Sequence, residues 1–235
     1  MKKTTLLSAA FLFSMFAAST SSAQMHVGLR AGANLSTLAM ENADGAVFKT
    51  RVAPNVAVLF NYQISPSFSI QAEPGFSQRG AKLENTTTLN DNTQTYRYEL
   101  KGKTILNYIE MPVLAQYRPS LGKLEGIVSL GPEVRVLAKP QVLKGGSKVY
   151  INGNLVEENT AEEVLSGDDG PRKFDFGLVG GAGVAYPVGN LRIFAEARYH
   201  FGLLNLFKQT GSDDVKVYNR AGSVSVGVLV PVGRR

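Results

Sequence analysis

Beyond residue 23, apolar and polar positions alternate one by one through most of the chain. The last segment is the plainest: Val224, Val226, Val228 and Val230 alternate with Ser223, Ser225, Gly227 and Leu229. Successive side chains of a strand point to opposite faces, so this segment has one uniform apolar face and one small or polar face. Val56, Val58, Phe60, Tyr62 and Ile64 alternate in the same way with Asn55, Ala57, Leu59, Asn61 and Gln63. Phe68, Ile70, Ala72, Pro74 and Phe76 alternate with Ser69, Gln71, Glu73, Gly75 and Ser77. Leu191, Ile193, Ala195, Ala197, Tyr199 and Phe201 alternate with Arg192, Phe194, Glu196, Arg198 and His200. The pattern predicts eight strands, roughly 25–38, 52–64, 67–80, 103–118, 123–138, 172–187, 190–203 and 220–232. Most are far longer than the usual strand of about 5–6 residues. A tilted strand crossing a bilayer needs about 9–11 residues in the hydrocarbon, and its ends project beyond it.

The links between these segments alternate in length. Ser65-Pro66, Pro119-Ser120-Leu121-Gly122 and Pro187-Val188-Gly189-Asn190 are tight turns built on Pro and Gly. The other links, 39–51, 81–102, 139–171 and 204–219, are long and polar. Tight turns at one end and long loops at the other are the pattern of an outer-membrane barrel. The expected fold is therefore all-β: a closed antiparallel eight-stranded transmembrane β-barrel with short periplasmic turns and long extracellular loops. Hydrocarbon offers no partner to backbone N–H and C=O groups, so a sheet that spans it must close. Tyr62, Phe68, Tyr117, Phe174, Tyr186, Tyr199 and Phe201 near the strand ends suit interfacial girdles.

The first 23 residues read as an address rather than as structure. Lys2 and Lys3 precede an apolar run from Leu6 to Ala18, and Ser21-Ser22-Ala23 forms a small-residue cleavage site. This is a secretory signal peptide, with residues 24–235 as the barrel domain. The chain has 25 Lys and Arg against 19 Asp and Glu, so the mature charge without Lys2 and Lys3 is 23 − 19 = +4. That basicity is spread along the chain and forms no stripe, so nucleic acid is not an expected partner. There is no Cys, which excludes disulfides, thiolate metal sites and thiol catalysis. His26 and His200 are the only histidines. No metal or other cofactor is expected.

Three segments carry a family resemblance. They are Val27-Gly28-Leu29-Arg30-Ala31-Gly32-Ala33-Asn34-Leu35-Ser36, Ala72-Glu73-Pro74-Gly75-Phe76-Ser77-Gln78-Arg79-Gly80 and Tyr108-Ile109-Glu110-Met111-Pro112-Val113-Leu114. Phe176-Gly177-Leu178-Val179-Gly180-Gly181-Ala182-Gly183-Val184 continues the match. Over residues 25–232 the chain resembles the outer-membrane β-barrel domain family common in Bacteroidota, a porin-type family that includes the PorT-like proteins. The resemblance implies a small, monomeric, non-enzymatic barrel in the outer membrane of a Gram-negative envelope. PorT itself is associated with protein secretion. The chain ends Val230-Pro231-Val232-Gly233-Arg234-Arg235, without the aromatic residue that usually closes the last strand of such barrels.

If the apolar sets face lipid, the opposite sets face the lumen. The expected inward network is Arg30, Glu73, Arg79, Glu110, Glu133, Arg135, Arg192, Glu196, Arg198 and His200, with His26 and Asp175 on the same faces. An eight-stranded barrel is just wide enough for side chains to fill. These residues are read as a structural ion-pair network; a narrow conductance is the alternative, because Gly177, Gly181 and Gly183 leave space on one wall. Ile127 shares the parity of Glu125, Ser129, Glu133 and Arg135, which makes the fifth strand the weakest assignment. His200 has no marked serine partner and Gly-x-Ser-x-Gly is absent, so no catalytic residue is assigned.

In the third long link, Asn152-Gly153 between alternating residues predicts a hairpin that projects from the barrel. Link 139–171 reads either as a contact surface for an envelope protein or surface polysaccharide, or as a solvated tip. Lys139, Lys144, Lys148, Arg172 and Lys173 are placed to meet phosphates of outer-membrane lipid and lipopolysaccharide. The functional expectation is a non-enzymatic structural or interaction component of the envelope. The alternatives are a narrow passive porin or a PorT-like secretion component; a soluble calyx and a lipid-modifying enzyme are weaker rivals.

Overall fold

The computed structural model describes residues 24–41, 48–91, 93–165, 170–207 and 216–232. The leader read over residues 1–23 and the chain end at 233–235 lie outside them. So do 42–47, 166–169 and 208–215 within the long links. All regular structure in the described residues is strand. In chain order the strands are β1 (Gln24–Glu41), β2 (Phe48–Lys49), β3 (Arg51–Gln63), β4 (Phe68–Ala72), β5 (Gly75–Arg79), β6 (Lys82–Asn90) and β7 (Thr95–Tyr117). β8 (Ser120–Leu121), β9 (Leu124–Ile151), β10 (Asn154–Leu165), β11 (Phe174–Val188), β12 (Leu191–Gly202) and β13 (Lys216–Val232) follow.

Closure is visible in the pairing. β1 pairs with β13 on one side and β3 on the other, both antiparallel. From β3 the sheet continues through β4 and β5 to β7, then β9, β11, β12 and back to β13. With β4 and β5 counted as one stave, this is the eight-stranded antiparallel barrel. The stave breaks because Pro74 has no N–H to give to the ladder. Glu73 N–H donates to Pro112 O (3.1 Å) and Val58 N–H to Pro74 O (3.0 Å), so the wall stays bonded across the break.

The two faces separate as the parity requires. Val224 and Val226 are 56% and 61% exposed, whereas Ser223 and Ser225 between them are 2% exposed. The same contrast runs along β3 and β12. A continuous exposed apolar wall of this kind is a surface for lipid. Tyr62, Phe68, Tyr117 and Tyr186 ring the turn end, and Phe174, Tyr199 and Phe201 the other; all are exposed. Ile127 is buried with Ala57, Leu59, Ala185, Phe194 and Leu229, so the fifth barrel strand keeps its parity. That cluster is an apolar floor toward the turn end. A second cluster of Leu38, Ala81, Leu106, Tyr108, Leu206 and Val217 lies toward the loop end.

Two links are more ordered than their polarity implies. Link 81–102 is largely strand: β6 and the first part of β7 pair from Lys82–Lys103 to Asn90–Thr95. β9 runs on to Ile151, turns at Asn152-Gly153 with φ of 51° and 84°, and returns as β10. Together β2, β6, β7, β9 and β10 form a sheet that rises beyond the barrel. Two register shifts in β9, between Leu137 and Val142, interrupt the barrel pattern there. This is why period two breaks off near residue 138.

Candidate functional site: the filled lumen

Inward-facing residues of six staves meet midway along the barrel, between the two apolar clusters. Glu73, at the break between β4 and β5, receives Arg198 Nη1 and Nη2 at 2.6 and 2.7 Å and Arg30 Nε at 3.0 Å. Gln71 Nε2 donates to the same carboxylate at 2.6 Å. Arg198 also holds Glu196 at 2.7 Å, and Ser129 donates to Glu196 from β9. Toward the loop end, Arg79 Nη2 lies 2.8 Å from both Glu110 and Glu133. Arg135 joins Glu133 (3.1 Å) to Asp175 (3.0 Å). Arg30 Nη2, 3.9 Å from Glu110, links the two halves.

Four guanidiniums thus meet five carboxylates, all buried. Such charges need several partners each, because their mutual attraction must offset the water they lose. Amides and hydroxyls supply further bonds. Arg30 donates to Asn55 (2.8 Å), Asn55 to Asn34 (2.9 Å) and Asn34 to Ser77 (2.8 Å). Asn219 donates to Asp175 (2.7 Å) and to the Tyr108 hydroxyl (3.2 Å).

The glycines expected to leave space are occupied instead. A Cβ on Gly181 would stand 2.6 Å from Arg198 Cγ, and one on Gly177 would stand 2.9 Å from Arg135 Nη2. Arginine stems lie across the room these glycines provide.

His200 requires a correction. Its Nε2 lies 3.0 Å from Ser223 Oγ and its Nδ1 lies 3.1 Å from both oxygens of Glu133, so it does have a serine partner. With Nδ1–H donated to Glu133, Nε2 accepts from the Ser223 hydroxyl. The order serine, histidine, carboxylate is that of acyl-transfer enzymes. Here His200 and Ser223 are 1% and 2% exposed, and Arg79 Nη2 also stands 3.1 Å from Nδ1.

Arg192 also departs from the expected network. It is partly exposed at the turn-side mouth, where it pairs with Glu125 at 3.2 Å and touches His26 Nε2 at 2.8 Å. The other nine expected residues are buried together. Tyr108, Arg51, Arg118 and Asn219 are buried inward residues that the sequence reading did not single out. Parity marks each of them, since they fall in step with Glu110, Asn55, Gln116 and Ser223.

The family profile described as outer membrane protein beta-barrel domain matches residues 16–208. The chain belongs to that family. This outer membrane beta-barrel protein resides in the outer membrane. No curated protein matches it. Solved structures similar to it include neisserial surface protein A, at 13% identity and TM-score 0.38, with 89% of this chain and 97% of that one covered. Ail of Yersinia pestis is 14% identical, with TM-score 0.35 and coverage of 88% and 98%. OprG of Pseudomonas aeruginosa is 12% identical, with TM-score 0.47 and coverage of 90% and 97%.

Outside the lumen, the charged residues of this outer membrane beta-barrel protein concentrate on the rising sheet. Lys49 Nζ meets Glu84 at 2.6 Å, and that hydrogen bond holds the Glu84 carboxyl below its usual range. Lys148 meets Glu158 at 2.8 Å, a bond that holds its ammonium above the usual lysine range.

Proposed function

We propose that this protein is a non-enzymatic barrel with a sealed lumen, oriented with tight turns in the periplasm and the rising sheet outside. In this reading it serves the envelope as a structural and interaction component. The observation that carries it is the pairing of Arg198, Arg30, Arg79 and Arg135 with Glu73, Glu196, Glu110, Glu133 and Asp175 across the barrel interior. These side chains are buried where they meet, and the apolar floor of Leu59, Ile127, Phe194 and Leu229 lies beneath them. The chemistry available to the surroundings is therefore on the outside: apolar wall, aromatic girdles and the rising sheet. Planar-bilayer recording of the purified protein tests this directly. The expected result is a silent membrane; steady unitary conductance would overturn the sealed lumen in favour of a narrow porin.

A PorT-like role in protein secretion is the second reading. The observation that favours it is the sheet side continuous with the lumen, which exposes Tyr98 and Leu100, beside β10, an edge strand among the described residues. Deleting residues 143–163 while the barrel is retained tests it: loss of an exported cargo supports secretion, and unchanged export removes it.

A further inference from the structure

The other side of the rising sheet carries a row of lysines that the fold leaves partly unneutralised. On β7, Glu110, Tyr108, Leu106 and Thr104 point inward and are buried, whereas Met111 and Ile109 point outward. By parity Lys103, Lys101, Glu99 and Arg97 continue the outward, lipid-facing side. Directly opposed residues share that side. Ile105 faces Val142, which faces Val164. One step farther out, Lys103 faces Lys82 on one neighbour and Lys144 on the other, and Lys82 faces Lys49. Lys49, Lys82, Lys103 and Lys144 thus stand in one line across β2, β6, β7 and β9, immediately beyond an apolar line. With neighbouring strands about 4.8 Å apart, the lysine line extends over roughly 15 Å.

Like charges directly opposed across strands repel. The ends of the line are relieved, Lys49 by Glu84 at 2.6 Å and Lys144 by Glu162 at 2.7 Å. Lys82 and Lys103 in its middle have no ion-pair partner among the described residues. With Arg97, Lys101 and Lys148 the face holds seven cations against Glu84, Glu99, Glu158 and Glu162. Beside the line, Gly146 adds no side chain opposite Lys101, and a trough of about 360 Å³ opens there, edged by five lysines of the face and by Glu84, Glu99 and Glu158.

We propose that this line seats the phosphate groups of the glycolipid that surrounds the barrel in the outer leaflet. The inference rests on the orientation given under Proposed function. A lipid phosphate sits just beyond its own hydrocarbon, and the line stands just beyond the apolar row of Ile105, Val142 and Val164 on the same side. Lysines one strand apart can share a phosphate, which replaces repulsion by two attractive contacts.

The test compares the full-length protein with Lys82→Gln/Lys103→Gln in mixed micelles containing a phosphorylated outer-leaflet glycolipid or its dephosphorylated form. Retained lipid is counted by native mass spectrometry. The wild type is expected to prefer the phosphorylated lipid, and the double variant to lose roughly thirtyfold of that preference, about fivefold per lysine. Lys123→Gln, at the opposite end of the barrel, is expected to keep it. An unchanged preference in the double variant overturns the inference, as does equal competition by free inorganic phosphate or binding only of a soluble acidic protein. Labelling of Ser147→Cys in intact cells by an impermeant maleimide reports the orientation separately. If it is labelled and the lipid preference is absent, the inference fails alone; if it is labelled only after lysis, the orientation fails first.

Discussion

Arg198 grips Glu73 across the lumen with two hydrogen bonds of 2.6 and 2.7 Å, joining β12 to the break between β4 and β5. This pair ties together segments 125 residues apart in the chain. It places a doubly hydrogen-bonded ion pair where Pro74 interrupts the wall.

Arg198→Met is therefore expected to destabilise the barrel by about 3–5 kcal/mol, because Glu73 and Glu196 lose their shared cation while still buried. Combining it with Glu73→Gln should cost less than the sum of the two single changes, since the second removes the orphaned charge. Urea unfolding of protein refolded into lipid vesicles measures both. Strict additivity would show that the pair acts independently.

Gly181→Ala tests whether the lumen is packed to its limit. The added Cβ would meet both Arg198 Cγ and the backbone oxygen of Ala197 at 2.6 Å. The expected loss is about 1–3 kcal/mol, as for other overpacked cores. A neutral or stabilising effect in the same unfolding measurement would mean that the wall retains free space.

Ser223→Ala distinguishes a structural hydroxyl from a nucleophile. Loss of its bond to His200 Nε2 should cost about 1 kcal/mol. An acylating or phosphonylating serine probe should leave the wild type unlabelled, because the hydroxyl is enclosed. Labelling at Ser223 that disappears in His200→Ala would instead revive a hydrolytic role.

The Asn152-Gly153 turn should be separable from the barrel. Both residues have positive φ, which a β-carbon disfavours at Gly153. Gly153→Val is expected to speed proteolysis within 143–163 while leaving the urea midpoint of the barrel unchanged. A shifted midpoint would show that the rising hairpin and the barrel fold as one unit.

Much of this architecture is legible in the sequence wherever one face meets oil and the other a filled lumen. There the contrast between Val224 and Ser223, or Tyr199 and His200, repeats at every step. Beyond Lys103 and Lys144 both faces of the sheet are at least partly exposed, so Lys101 and Leu100 carry no such contrast and the strands read as loops. The shifts between Leu137 and Val142 add a local break in phase. The inward set was readable by parity, but who pairs with whom was not. Arg192 has the same parity as Arg198 yet sits at the mouth with Glu125, because height in the barrel depends on stagger between staves. The bond from His200 to Ser223 likewise depends on the register of β12 with β13, which alternation alone leaves free.

The most direct measurement is a spin-label scan along β13, which is simple in a chain without cysteine. Labels at single-cysteine positions 223 to 228 are compared for collision with oxygen, which enters lipid, and with a water-soluble nickel chelate. A sealed cylinder with a lipid-facing wall predicts high oxygen contact at Val224, Val226 and Val228 and little contact with either reagent at Ser223 and Ser225. Nickel-chelate contact along the valine positions, or a water-wet serine face, would contradict it.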